Sequence, residues 1–138
     1  MKQFFGMSQR GSLDEALQGL HQPQFIMLLS NNDQFEAHVA ALEKRFPGVP
    51  SIGCIVMSYQ TGIVEKGVGI IAFYDGVTAA ANVLEQVSKM PVRYIQRLEQ
   101  DMQAVGGSSN DTVCIDFCSG NDACVLTTIY TVLSKRGI

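Results

Sequence analysis

Three unbroken apolar runs constrain this chain more than anything else in it: Phe25-Ile26-Met27-Leu28-Leu29, Ile52-Gly53-Cys54-Ile55-Val56-Met57 and Val68-Gly69-Ile70-Ile71-Ala72-Phe73. Each is too short for a membrane span and carries no polar face. A strand buried on both sides reads this way, whereas a half-exposed strand alternates. Between the runs the period changes. Leu13, Ala16, Leu17 and Leu20 keep helical spacing, as do Phe35, His38/Val39, Leu42 and Phe46. Buried strands interleaved with amphipathic helices define an α/β fold: a mixed, largely buried β-sheet covered by helices.

Local signals fix the remaining elements. Residues 2–8 read as a first strand. Ser12-Leu13-Asp14-Glu15 predicts a capping box, with Ser12 accepting from the backbone three residues on and Glu15 reaching back; its helix runs to about Leu20. Asn31-Asn32-Asp33 starts the next helix, and Pro47-Gly48-Val49-Pro50 stops it. Strand follows strand from Pro50 to Phe73 and onward to Val87, which predicts an antiparallel portion around residues 50–87. Within it, residues 78–90 suit a helix by composition and a strand face by Val77, Ala79, Ala81, Val83 and Val87. Pro91 opens a helix carrying Ile95, Leu98, Met102 and Val105 to Gly106-Gly107. Residues 112–117 read as a last strand, buried, and residues 119–122 cap a final helix.

A chain of 138 residues is one domain, 1–138. With 46% hydrophobic and 17% charged residues it does not belong to the disordered class. No apolar run approaches the roughly 20 residues of a spanning helix, and Met1-Lys2-Gln3-Phe4-Phe5-Gly6 lacks a signal peptide's apolar core. A cytoplasmic protein without membrane insertion is expected. Ten Lys and Arg against thirteen Asp and Glu give a net charge of −3, with the cations scattered, so no cationic surface for nucleic acid is expected. The low charge content suggests apolar surface covered by another domain or by a second copy in a homodimer. The final helix runs nearly to Ile138, where an alternating chain would begin another strand, which fits a domain of a longer polypeptide.

The chemistry-bearing residues are few. Cys54, Cys114, Cys118 and Cys124 read as reduced, buried thiols, and their spacing does not suit structural zinc. His21 lies in a loop, and His38 reads as a helix-edge residue. Gly67-Val68-Gly69 begins a strand, whereas a dinucleotide loop must follow one. No catalytic constellation is visible, so no enzyme is expected. Binding is the alternative chemistry. Asp116, Cys118, Ser119, Gly120 and Asn121 occupy a strand-to-helix junction, where free backbone donors suit a small anionic or polar ligand. Asp116 inside an apolar strand would need a partner. Ser58 and Thr61 offer hydroxyls beyond another buried strand.

The order of these motifs is similar to one known family. A helical start, then Phe25–Ser30, a helix ending at Phe46-Pro47, Ser51-Ile52-Gly53-Cys54, residues 67–73 and a late strand and turn over residues 114–120 together resemble the N-terminal part of the FIST sensory domain. Only Gly53 and Cys54 match the family's turn directly; Ile55-Val56-Met57-Ser58 stand where members carry Ser or Thr and a Gly-Glu pair. The resemblance implies a bacterial intracellular input domain in chemotaxis or other signal transduction. Its ligand would be a small polar molecule such as an amino acid, and its partners an adjacent C-terminal FIST part and a signalling output domain. Gly53 and Cys54 join the ligand-site candidates on this ground, and residues 78–87 are expected to be extended. No cofactor is expected. The alternatives are a haem-based gas sensor, with His38 or Cys118 as axial ligand, and a non-catalytic interaction or dimerisation scaffold.

Overall fold

The computed structural model describes residues 1–56, 58–59, 63–64, 66–84, 89, 91–108, 110–118 and 126–135. They fall into two compact units, Met1–Ala79 and Ala80–Ile138.

The first unit is built on strands β1 (Lys2–Ser8), β2 (Phe25–Ser30), β3 (Ser51–Ile55) and β6 (Val68–Tyr74), in the spatial order β1-β6-β2-β3. β6 runs antiparallel to both β1 and β2, while β2 and β3 are parallel. The short strands β4 (Ser58–Tyr59) and β5 (Ile63–Val64) pair antiparallel in a separate two-stranded sheet. The predicted antiparallel portion is thus β4, β5 and β6, and the sheet is mixed as expected; β3 belongs to the parallel pair.

Helices α1 (Leu13–Ala16) and α2 (Phe35–Arg45) carry the chain from β1 to β2 and from β2 to β3. Both crossovers step across the sheet in one direction, so the right-handed rule places both helices on one face. The core confirms it. Ala16, Leu17, Leu20 and Leu42 are buried with Ile26, Leu28, Val68, Ile70 and Ala72, and Phe4, Phe35 and Phe46 pack against them.

The apolar runs behave differently according to position. In the central strands, β2 and β6, they mark full burial on the helix-covered face, while Phe25, Leu29, Ile71 and Phe73 on the other face are half-buried. β3 is an edge strand whose Ser51, Gly53 and Ile55 are exposed, against the expectation of a fully buried strand. Helix α1 is also shorter than predicted. The chain leaves it at Leu17, tightens through Gln18 and Leu20 amides bonded to the Glu15 and Leu17 carbonyls, and turns at Gly19 with φ +89°.

The second unit holds α3 (Pro91–Val105) and α4 (Leu126–Ser134). Met102, Ile129 and Leu133 form its buried core, with Leu84, Ile95 and Leu98 packed against them. Gly106, at φ +65°, ends α3, and the Gly107 amide closes back on the Met102 carbonyl at 3.1 Å. Among the described residues, two expected strands are not formed. Residues 78–84 are neither strand nor helix; they are tied to α3 by Asn82 donating to Asp101 and by Arg97 donating to the Val83 carbonyl. Residues 112–118 carry no strand pairing either. Residues 85–88 and 119–125 lie outside the described residues.

Candidate functional site

At one rim of the first unit β1, β2 and β3 end and β6 begins. Ser8 and Ser30 sit on either side of Val68 in the ladder, and both are buried. Their hydroxyls organise two polar clusters there.

In the first, Ser8 Oγ donates to Glu15 Oε2 at 2.6 Å and accepts from the Arg10 and Ser12 amides. Ser12 Oγ accepts from the Glu15 amide, as the capping box predicts. Glu15 itself does not reach back to the Ser12 amide. Ser8 stands between them, its hydroxyl accepting from that amide and donating to the carboxylate.

In the second cluster, Ser30 Oγ lies 2.8 Å from His38 Nδ1, and His38 Nε2 lies 3.1 Å from the Gly11 carbonyl. A carbonyl only accepts, so in the neutral ring Nε2 carries the proton and Nδ1 accepts from Ser30. The Asn31 carbonyl, 3.2 Å from Ser30 Oγ, is the other outlet for that hydroxyl proton. His38 is buried, with 7% of its surface exposed, against the expectation of a helix-edge residue. It ties the β1–α1 turn, the end of β2 and the first turns of α2 together. Gly11 is required there. Its φ is +76°, and a Cβ would collide with Gln34 Oε1 and the Lys66 carbonyl.

This pairing resembles a nucleophile and its base, yet Ser30 has no exposed surface. The described crossovers also differ from those of doubly wound sheets, whose crevice opens where successive crossovers leave on opposite faces. Here both leave on one face. The two clusters pair the buried hydroxyls of this rim within the first unit.

The residues singled out from the sequence fall in both units. Gly53 lies on β3, opposite Leu28 in the register. A Cβ there would come within 3.2–3.3 Å of Leu28 and Phe35, so the glycine lets α2 settle on the sheet edge. Cys54 is half-buried beside Leu29, and loss of solvation raises its thiol pKa. Ser58 starts β4; Thr61 lies outside the described residues.

In the second unit, Asp116 and Cys118 are exposed, as is Cys114. This corrects two expectations. Asp116 is not a carboxylate inside a buried strand, and Cys114 and Cys118 are not buried thiols. The physical reason is the missing ladder: without a sheet neighbour the segment has no interior to enter. Cys114 Sγ donates to Asp116 Oδ1 at 3.8 Å. Reduced solvation around its sulfur, and then the adjacent carboxylate, push its thiol up to about 11. Ser119, Gly120, Asn121 and Cys124 lie outside the described residues.

Haem and metal chemistry can be tested against these residues. An axial histidine needs a ring nitrogen to offer, and both nitrogens of His38 are engaged in the core. His38 therefore does not fit the ligand role that the haem alternative gave it. Among the described residues no three His, Cys, Asp or Glu side chains gather around a metal position. Nor is any helix among them long and apolar enough to cross a membrane.

The fold and these features define a mixed α/β module in which helices cover one sheet face and polar groups lie exposed on an irregular segment. The chain matches the FIST N domain over residues 24–138 and belongs to that family, a sensory domain family for small ligands. No curated protein and no solved structure matches it.

Sequence reasoning missed the Ser8–Glu15 and Ser30–His38–Gly11 clusters. The available signal was a serine closing each of two strands, the first strand's serine ahead of a capping sequence and the second's, at the end of an apolar run, eight residues before a histidine on an apolar helix stripe.

Proposed function

We propose that this chain is the ligand-recognising input domain of a bacterial signal-transduction protein, acting in the cytoplasm on a small polar molecule such as an amino acid. The observation that carries this reading is the family match over residues 24–138. The domain performs no bond-making of its own and takes no cofactor. An adjacent C-terminal FIST part and an output domain are its partners, chemotaxis being one such output.

Recognition is assigned to residues 116–121. Asp116 presents an exposed carboxylate, suited to a ligand ammonium group, and Cys118 lies exposed beside it. Ser119, Gly120 and Asn121 supply small polar positions next in sequence. Ser58 and Thr61 are secondary candidates beyond β3, whereas Gly53 has a packing role that accounts for it. A ligand shifts signalling only by its differential affinity for two states of the domain.

Isothermal titration calorimetry against the twenty amino acids tests this. The expected outcome is saturable binding of one or a few of them, weakened about tenfold or more by Asp116→Asn. No saturable heat from any of them, in this chain or in a longer protein that contains it, refutes the amino-acid reading. Binding that Asp116→Asn leaves unchanged moves the site elsewhere.

A further inference from the structure

We propose that residues 112–118 pair as an antiparallel β-strand with the same residues of a second copy, making a two-fold symmetric dimer through the second unit. The inference is independent of the ligand reading and rests on three observations.

The first is exposure. Val113, Ile115 and Phe117 stand 82%, 43% and 43% exposed, three large apolar side chains within five residues. The second is the backbone. Among the described residues, no backbone hydrogen bond is made by Val113, Ile115 or Phe117, so their donors and acceptors are open to a strand partner. The third is composition. Thr112-Val113-Cys114-Ile115-Asp116-Phe117-Cys118 is β-branched or aromatic at most positions, without Gly or Pro. Its local preference and its irregular conformation disagree, and pairing removes the disagreement.

A second copy is the occupant because the segment complements itself. Laid antiparallel with Ile115 facing Ile115 of the other copy, Val113 meets Phe117 twice across the axis, an aromatic and β-branched cross-strand pair. Alternation puts these side chains on one face and Thr112, Cys114, Asp116 and Cys118 on the other. In this register Asp116 faces Cys114 of the other copy, so the two carboxylates do not meet head-on. Shifting by one residue would oppose apolar to polar side chains and lose that match. Seven residues of ladder fall short of the roughly 1,200 Å² of standard interfaces, so the dimer is weak.

Sedimentation velocity under reducing conditions, from about 10 µM to about 1 mM, tests the proposal over the concentrations where such an interface assembles. The chain is expected to shift from monomer to dimer across this range. Val113→Lys, on an exposed side chain, should raise the dissociation constant about tenfold or more. Cys114→Lys should lower it, because each lysine then faces the other copy's Asp116. Far-UV circular dichroism on each variant confirms that the fold is kept. A chain that stays monomeric to 1 mM overturns the proposal. So does a dimer indifferent to Val113→Lys, or one that Cys114→Lys fails to tighten.

Discussion

His38 holds three chain segments with two hydrogen bonds, and its removal leaves partners that water cannot reach. His38→Ala leaves the Gly11 carbonyl without its imidazole donor, leaves the Ser30 hydroxyl only the Asn31 carbonyl and opens a cavity, so a loss of about 2–4 kcal/mol is expected in urea unfolding. Gly6 is the steric counterpart. A Cβ there would run into the Ala16 carbonyl, so Gly6→Ala should cost about 2–3 kcal/mol by forcing α1 away from β1. Cys114 supplies a pH signature. Its thiol is raised from an ordinary value near 9 to about 11, so the protonated form persists across that interval. A raised pKa in the folded state favours folding at lower pH, and that contribution fades as pH climbs through 9 towards 11. The residue is exposed and solvent screens the effect, so the readout is reactivity. Iodoacetamide should modify Cys114 more slowly at pH 8 than an unperturbed thiol. Asp116→Asn should speed it, since the carboxylate is the second cause of the shift after desolvation.

Elements were legible where one residue pattern had one reading. The runs at β2 and β6 declared burial, and those strands are the centre of the sheet. The run at Ile52-Gly53-Cys54-Ile55 declared the same and was wrong, because hydropathy records side-chain type and not the number of neighbouring strands. Helix α3 was legible at both ends from Pro91 and Gly106, residues whose backbone restrictions act locally. Residues 112–117 show the opposite case: strong strand propensity yields no strand where no partner supplies the ladder. Gly53 tests the element scale. Gly53→Val should destabilise the fold by about 1–3 kcal/mol through Phe35 and α2, without abolishing amino-acid binding.

The sensory class was legible at the scale of the molecule through the order of motifs, and the family match bears it out. The candidate site was legible only in part. Polar residue types at a junction show where a ligand is chemically acceptable, yet burial and pairing depend on contacts distant in sequence. Hence Asp116 proved exposed and His38 proved buried. The polar clusters at the rim of the first unit, built from hydroxyls, an imidazole and a carboxylate, had no such signal in the spacing of residue types.

The central claim, recognition by the polar positions from Asp116 onward, is tested most directly by ¹⁵N–¹H spectra recorded during titration with each of the twenty amino acids. The predicted result is saturable movement of the Asp116, Phe117 and Cys118 amide resonances with one of them, while those of Ser8, Ser30 and His38 stay fixed. Spectra unchanged by every amino acid, or changes confined to the Ser30–His38 rim, would contradict it.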